Sequence, residues 1–494
     1  MRDRTALLHV ALLALACSGP SSTAAPSEPE RPAPPPRPYE LRGWTMNRYD
    51  AGEPPSVWLP VLDSQIPELR DGFGWVSLDD HVVWLNLRQR ERAGALRPPI
   101  SVAITAEELC DEAVQRMLRG WEGQPYALEI LDDWTGAEIG CLRGLAFQYL
   151  ATSFNQGESH CDRLIAQDLL PRSLRGLAVM ECSPASLRAL AGYPELRQLA
   201  IGVPAGPEAV ASLAALERLE VLDVTLDHGG AVSLAQLPPL PALRRLVVGG
   251  THALGREDAE AIARMRSLRE LAITARTLDE FRDALAAMPA LRSLDLATVE
   301  LDAGALRRLV EASDLVELRV GLAERLDDEA VALLRDETSL EVLELRGAAL
   351  TDRGLDALAG LERLWHLDLT GARITTLGPL RGLARLRSLG LAGTRATDAE
   401  LSTVARLREL RVLDLRRAPI STLDPLASLP NLRVLRAAET LVGDESIPTL
   451  RAMSSLREVD LDRTRATGPA IERLASARPD MRISGARSIR VPTR

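Results

Sequence analysis

Histidine, cysteine and carboxylate side chains are the groups that could carry chemistry in this 494-residue sequence. The sequence contains no HExxH, GxSxG or CxxC pattern, so the spacings typical of zinc proteases, serine hydrolases and redox dithiols are absent. All 59 basic residues are arginine, and the lack of lysine excludes a P-loop lysine and Schiff-base catalysis. The sequence therefore predicts a protein that is not an enzyme and that needs no cofactor or metal.

Two short clusters come nearest to a metal site. His81 follows Asp79 and Asp80, but a run of this kind is more typical of a solvated turn than of a metal centre. His160 lies beside Cys161, yet no further ligand follows at a zinc-binding spacing. We therefore predict no metal at either position.

A repeated phrase, Leu-x-x-Leu-x-Leu with Val, Ile or Ala at some of the later apolar positions, occurs thirteen times at a spacing of 22 to 25 residues. The copies begin at Leu174, Leu196, Leu219, Leu243, Leu268, Leu291, Leu315, Leu340, Leu364, Leu386, Leu410, Leu432 and Leu456. A regular period of this length indicates a solenoid, in which each turn is one structural unit.

The spacing within the phrase predicts a short strand in every turn. The last two leucines are two residues apart and so point to the same side of a strand, where only stacking on the next turn can bury them. The segments between the phrases predict helical returns. Thr277 with Glu280 and Thr397 with Glu400 match the capping box, whereas Gly378 and Pro379 favour a tighter return.

The phrase, its period and its return segments resemble those of leucine-rich-repeat proteins, from about residue 174 to residue 483. The resemblance implies an α/β solenoid with a curved parallel sheet on the inner face, helices and short turns on the outer face, and an N-terminal cap region. This sequence departs from the family in one respect, because the turn position that often holds Asn holds other residues here. They are Thr251, Thr394, Thr440, Thr464, Cys182, Ala348, Ala372 and Ala418.

The inner face is the predicted binding surface, because solenoid strands present long, rigid rows of side chains. The residues predicted to contact a partner are Asp295, Glu344, Arg346, His366, Asp368, Asp414, Arg416 and Asp460. The alternative is a solvated face whose charges balance one another. The second phrase position is Arg in nine of the thirteen copies, which predicts a basic stripe beside this face or an ion-pair network.

The N-terminus carries the features of an export signal. Residues 1–17 combine two arginines with a short apolar run that ends in small residues and Cys17, a pattern similar to the lipobox of bacterial lipoproteins. The similarity implies lipid attachment at Cys17, and Ser18 favours the outer membrane. An ordinary secretory signal cleaved near Ala16 or Ala25 is the alternative. Residues 18–38 are rich in Pro and Ser and predict an extended tether.

The predicted mature chain has three further parts. Residues 39–140 form a cap or a small α+β module, residues 141–484 the solenoid, and residues 485–494 a polar tail. Four cysteines remain besides Cys17, and in an exported chain they favour disulfides of unspecified pairing. They are Cys110, Cys141, Cys161 and Cys182. The last of these is also a candidate for a buried thiol.

Taken together, these features predict non-catalytic recognition of an unidentified protein or peptide by a monomer displayed at the bacterial cell envelope. Binding through a lipid anchor would place it at the outer membrane, with a secreted or periplasmic protein as the alternative. The net charge of −10 argues against nucleic acid as a partner. Two other functions remain open, a structural scaffold or adhesin and an enzyme within residues 39–140.

Overall fold

One parallel sheet runs through the computed structural model. The structure describes residues 82–84, 100–104, 106–120, 126–130, 138–152, 160–179, 181–203, 207–226, 233–250, 253–273, 276–277, 288 and 290–485. The strands are β1 Val82–Trp84, β2 Ile100–Ile104, β3 Tyr126–Ile130, β4 Tyr149–Thr152, β5 Gly176–Val179, β6 Gln198–Val203, β7 Val221–Leu226, β8 Arg245–Gly250, β9 Ala253–Leu254, β10 Glu270–Ile273, β11 Arg276–Thr277, β12 Ser293–Glu300, β13 Glu317–Leu322, β14 Val342–Leu345, β15 His366–Asp368, β16 Ser388–Gly390, β17 Val412–Asp414, β18 Val434–Arg436, β19 Glu458–Asp460 and β20 Arg482–Ser484.

Each strand of the main sheet pairs in parallel with the strand of the next coil. Eighteen strands take part, whereas β9 and β11 form a separate parallel pair. The predicted leucine-rich-repeat solenoid is therefore confirmed. The sheet also includes β1, β2 and β3, so the described strands of residues 39–140 continue the same stack.

The repeated leucines explain why the strands stack. Leu343, Leu367, Leu389 and Leu413 lie opposite one another on four successive strands, and all four are 0% exposed. Burying a leucine side chain stabilises the fold by about 1.5–3 kcal/mol, and the phrase repeats this burial in every coil. The result is one continuous apolar core that extends along the whole described solenoid.

Short helices return the chain along the outer side. The α-helices are α1 Ala106–Leu109, α2 Glu112–Arg119, α3 His160–Ala166, α4 Pro184–Ala189, α5 Pro207–Ser212, α6 Arg256–Ala263, α7 Ala303–Ala312, α8 Asp328–Val331, α9 Asp352–Leu355, α10 Leu401–Val404, α11 Ile447–Ala452 and α12 Gly468–Ala477. Several returns contain 3₁₀ turns, among them Gly378–Gly382, where Gly-Pro predicts a tighter return. None of the described helices is long and apolar enough to cross a membrane.

The predicted capping box at Thr397 does not form. The Thr397 side chain makes no capping hydrogen bond, and the Glu400 carboxylate instead accepts hydrogen bonds from the Leu377 amide at 2.6 Å and the Thr376 hydroxyl at 3.2 Å, both in the preceding coil. The second predicted box, at Thr277 and Glu280, reaches beyond the described residues. Contacts between coils thus replace a contact that the local sequence alone would favour.

An aspartate-to-hydroxyl contact links the outer turns of successive coils. Asp352 accepts hydrogen bonds from the Thr375 amide at 2.7 Å and hydroxyl at 2.5 Å, and Asp444 is bonded in the same way by Thr467. The hydroxyls of Thr394, Thr440 and Thr464, at the position that often holds Asn, bond locally, each donating to the carbonyl three residues earlier. The coils are therefore joined by aspartates at the starts of the outer turns.

The four cysteines that follow Cys17 pair near the N-terminal end of the described chain. Cys110 and Cys141 form one disulfide, with their Cα atoms 5.4 Å apart, and Cys161 and Cys182 form the other at 5.1 Å. Both bonds join neighbouring coils, since the paired cysteines are 31 and 21 residues apart in sequence. Cys182, which the sequence also offered as a buried thiol, is 0% exposed and disulfide-bonded.

Candidate functional site: the charged cluster of the inner face

The sheet brings the charged residues of the phrase into a single row. The fifth phrase position holds Asp295 on β12, Arg319 on β13, Glu344 on β14 and Asp368 on β15, and each lies opposite the next across the parallel register. Neighbouring strands are about 4.8 Å apart, so these side chains are close enough to interact strongly. We call the group formed by Asp295, Glu317, Arg319, Glu344, Arg346, His366 and Asp368 the inner-face cluster.

Two arginines hold the carboxylates of the cluster. Arg346 Nη2 lies 3.0 Å from Glu344 Oε2, and Arg346 Nε lies 2.7 Å from Asp368 Oδ2. Arg319 Nε lies 3.2 Å from Glu344 Oε1, and its Nη1 lies 3.0 Å from Glu317 Oε2. His366 Nε2 is 3.2 Å from the same Glu344 Oε1 atom. Glu344 is therefore the central acceptor of the cluster.

The protonation of Glu344 reflects these contacts. Burial would raise its pKa, but the hydrogen bond with His366 and the charges of Arg346 and Arg319 lower the pKa to about 2. Burial also acts to lower the pKa of Arg319, and the carboxylates of Glu317 and Glu344 more than offset it and raise that pKa. The two side chains are thus fixed in their charged forms at neutral pH.

Asp295 differs from the other carboxylates of the cluster. It is partly exposed, and within the described residues it makes no hydrogen bond or ion pair. Burial raises its pKa above the ordinary value of 3.8, and the charge of Glu344 adds to that rise while Arg319 opposes it. The raised pKa shows that the neighbouring arginines do not fully compensate the negative charge of Asp295. A further cation beside Asp295 would favour its ionised form.

Asp368 depends on a glycine in the next coil. Gly390 lies opposite Asp368 across the β15–β16 register, and a Cβ atom at that position would overlap Oδ1 and lie 2.7 Å from Cγ of Asp368. The missing side chain leaves space in which the 1%-exposed carboxylate turns toward Arg346. The position of the Asp368 carboxylate therefore requires a residue without a Cβ atom at position 390.

The eight residues predicted to contact a partner separate into groups. Five belong to the inner-face cluster. Asp414 and Arg416 form a pair of their own, with Nη2 2.6 Å from Oδ2 and with Asp414 fully buried. Asp460 lies farther along the sheet on β19, where burial raises its pKa. Asp414 is therefore a structural ion-pair partner, whereas Arg416 is exposed and Asp295, Arg346 and Asp460 are partly exposed.

Two members of the cluster, Glu317 and Arg319, are not among the residues predicted from the sequence. The sequence does contain a pattern that indicates Arg319, because this residue occupies the fifth phrase position between Asp295 and Glu344. A single basic residue between two acidic ones in a stacked row predicts an ion-pair bridge. Glu317, two residues earlier on the same face, then supplies the second carboxylate for the Arg319 guanidinium.

The cluster is suited to binding a cation. It contains four carboxylates and two guanidinium groups, and the formal charges of these six groups sum to −2. It includes no serine, threonine or cysteine nucleophile, and among the described residues no group of His, Cys, Asp and Glu is arranged to hold a metal ion. An arginine side chain or amino group of a partner is the ligand that would best compensate Asp295.

Comparison with known proteins finds similarity to solved structures. No protein-family model matches the chain, and no curated protein matches its sequence. Similar solved structures include an internalin of Listeria monocytogenes, with 17% identity, a TM-score of 0.39 and coverage of 78% of this chain and 95% of that one. Another is a leucine-rich-repeat protein of Leptospira interrogans, with 16% identity, a TM-score of 0.37 and coverage of 82% of this chain and 99% of that one. A third is a plant peptide hormone receptor in complex with a ligand, with 15% identity, a TM-score of 0.37 and coverage of 78% of this chain and 65% of that one.

Proposed function

We propose that this protein recognises a protein or peptide through the inner face of its solenoid, without catalysis. The inner-face cluster is the contact site, and the partner supplies a basic side chain to Asp295. The observation that carries the proposal is the state of Asp295, a partly exposed carboxylate with a raised pKa and no ion pair in the described residues. Such uncompensated groups are concentrated at functional sites.

The rigidity of the surrounding residues supports this role. Glu344, His366 and Asp368 are each at least nine-tenths buried and are linked by the contacts of Arg346 and Glu344 described above. Fixed neighbours reduce the entropy that would otherwise be lost when a partner binds.

The test is a comparison of two aspartate substitutions in the full chain. Asp295→Asn removes the charge at the proposed contact, and Asp356→Asn removes one from an exposed position on the outer 3₁₀ turn. Partners are captured by crosslinking in an envelope extract of the source organism, and the affinity of the recovered protein is then measured. The proposal requires a single stoichiometric partner whose affinity falls only with Asp295→Asn. Capture without a stoichiometric partner would favour a scaffold or adhesin.

Export and anchoring form a second part of the proposal. Cys17 and residues 1–38 lie outside the described residues, so this part depends on the lipobox-like sequence alone. We expect the chain to be cleaved before Cys17, acylated on that residue and held at the outer membrane by a tether formed by residues 18–38. Mass spectrometry of the mature N-terminus tests this expectation, and an unmodified N-terminus at another residue would contradict it.

A further inference from the structure

Three of the nine arginines at the second phrase position make the same ion pair with the next coil. Their partner is a carboxylate immediately before the first apolar residue of the next phrase. Arg292 Nη1 lies 3.2 Å from Asp314 Oδ2, and Arg387 Nε lies 3.4 Å from Glu409 Oε2. Arg457 Nη1 lies 3.3 Å from Asp480 Oδ2 in the same arrangement.

Arg244 and Arg269, on neighbouring coils, lack this carboxylate, as do Arg197, Arg411 and Arg433. The position that would pair with Arg244 holds Ser267, and the one that would pair with Arg269 holds Ala290. A cleft of about 280 Å³ lies at this place, lined by both arginines, both replacement residues, and also Glu220, Pro241, Ala242 and Arg266. The cleft therefore lies at two neighbouring coils in which the arginine has no such carboxylate.

The positive charge of the cleft is not compensated from within. Arg244, Arg266 and Arg269 are exposed, and within the described residues their side chains make no hydrogen bond or ion pair. Glu220, the single carboxylate of the lining, lies 3.7 Å from Arg197 outside the cleft. Three guanidinium groups and one carboxylate give a formal charge of +2.

We propose that this cleft binds a phosphate group, carried by a lipid headgroup or by a soluble phosphate ester. Planar guanidinium groups donate paired hydrogen bonds to phosphate oxygens, and the charge of +2 attracts both the dianion of a phosphate monoester and the monoanion of a phosphodiester headgroup. The Ser267 hydroxyl donates to the Leu243 carbonyl at 2.7 Å. The side-chain donors left for the anion are therefore the guanidinium groups.

The experiment titrates pyrophosphate into the full chain by calorimetry. The variant Arg244→Gln/Arg269→Gln is expected to lose affinity by tenfold or more, because each lost charge-assisted hydrogen bond lowers affinity by about tenfold. The matched control is Arg387→Gln, which changes an arginine at the same phrase position that already has a carboxylate partner. It should leave the affinity unchanged, and circular dichroism confirms that each variant is folded.

A second variant tests the origin of the site. Ser267→Asp introduces the carboxylate that pairs with Arg292, Arg387 and Arg457 in their coils. It should pair with Arg244, so pyrophosphate affinity should fall although no arginine is lost. Equal affinity in wild type and both variants, or absence of saturable binding to wild type, would overturn the proposal. Binding of poly-glutamate but not pyrophosphate would also overturn it, in favour of an acidic protein segment.

The source of the phosphate is separated by flotation with vesicles. Wild type and Arg244→Gln/Arg269→Gln are compared on phosphatidylglycerol vesicles and on phosphatidylcholine vesicles. A difference between the two proteins on phosphatidylglycerol alone identifies a lipid headgroup as the ligand. Pyrophosphate binding with no such difference identifies a soluble phosphate ester.

Discussion

Glu344 and Asp368 lie opposite each other on neighbouring strands, and Arg346 contacts both carboxylates. Two negative charges at this separation repel each other, and a parallel stack that repeats an acidic residue brings them together unavoidably. The guanidinium group of Arg346 lies between the two carboxylates and replaces their repulsion with two attractive contacts. The inner face thus contains a fixed ion-pair network, and Asp295 at its edge is the residue for which we propose contact with a partner.

Loss of the shared guanidinium group should destabilise the fold. Arg346→Met leaves Glu344 and Asp368 buried and facing each other, for which we expect a decrease of roughly 2–5 kcal/mol in the free energy of unfolding. The control is Arg463→Met, since Arg463 has an 80%-exposed side chain and pairs with Glu439 at 3.5 Å. Its effect should be within about 1 kcal/mol. Urea denaturation of both variants gives the comparison, and equal effects would contradict the network.

Removal of the charge of Asp295 and removal of the charge of Glu344 should change the stability of the fold in opposite directions. The folded-state pKa of Asp295 is raised, so its ionised form is less favourable in the folded protein than in the unfolded chain at neutral pH. Asp295→Asn should therefore raise the midpoint of urea denaturation at pH 7. Glu344→Gln should lower it, because the pKa of Glu344 is lowered to about 2 by its partners. A lower midpoint for Asp295→Asn would contradict the assignment.

Acid should destabilise the solenoid through the outer aspartates and Glu344. Hydrogen bonds from Thr351, Thr375 and Thr467 lower the pKa of Asp328, Asp352 and Asp444, respectively, below 3.8.

The direction of this pH effect follows from the linkage between protonation and folding. A carboxylate with a lowered folded-state pKa stabilises the fold above its unfolded-state pKa, and this contribution is lost as the pH falls through the folded-state value. We expect the thermal midpoint to fall between about pH 4.5 and pH 2, over the interval set by Glu344. Asp352→Asn should reduce the slope, whereas Asp356→Asn, at a nearby exposed position, should not. Identical slopes for the two variants would contradict the role of the outer contacts.

A methyl group at Gly390 should disturb the cluster from the neighbouring coil. Gly390→Ala forces the Asp368 carboxylate away from its position and should lower the free energy of unfolding by about 1–3 kcal/mol, as overpacking does. Gly360→Ala is the control, since a Cβ atom there would meet nothing within 4 Å. Chemical denaturation measures both, and an unaffected Gly390→Ala protein would show that the two strands are less closely packed than described.

The fold was predictable because its cause is periodic. Leu343 and Leu367 are buried for the same reason in every coil, and that reason is visible in the spacing of the phrase. The strand positions and the parallel order follow from it. The tight return at Gly378 was likewise predictable, since glycine and proline restrict the local backbone.

The site was less predictable because its properties depend on neighbours in other coils. Asp368 and Asp460 share a phrase position, but Asp368 is 1% exposed and pairs with Arg346, whereas Asp460 remains partly exposed. The difference arises from Gly390 and Arg346, which lie 22 residues from Asp368 on either side. The contact between Asp352 and Thr375 is also a relation between coils. Spacing within one repeat does not specify such relations.

The most direct test of inner-face recognition is photocrosslinking in the source organism. A photoreactive amino acid replaces Ser293, which lies two residues before Asp295 on β12, and in a second protein it replaces the outer residue Asp356. We predict one dominant crosslinked partner from position 293 that is lost when Asp295→Asn is added, and no such product from position 356. The same product from both positions, or a product that persists with Asp295→Asn, would contradict the account.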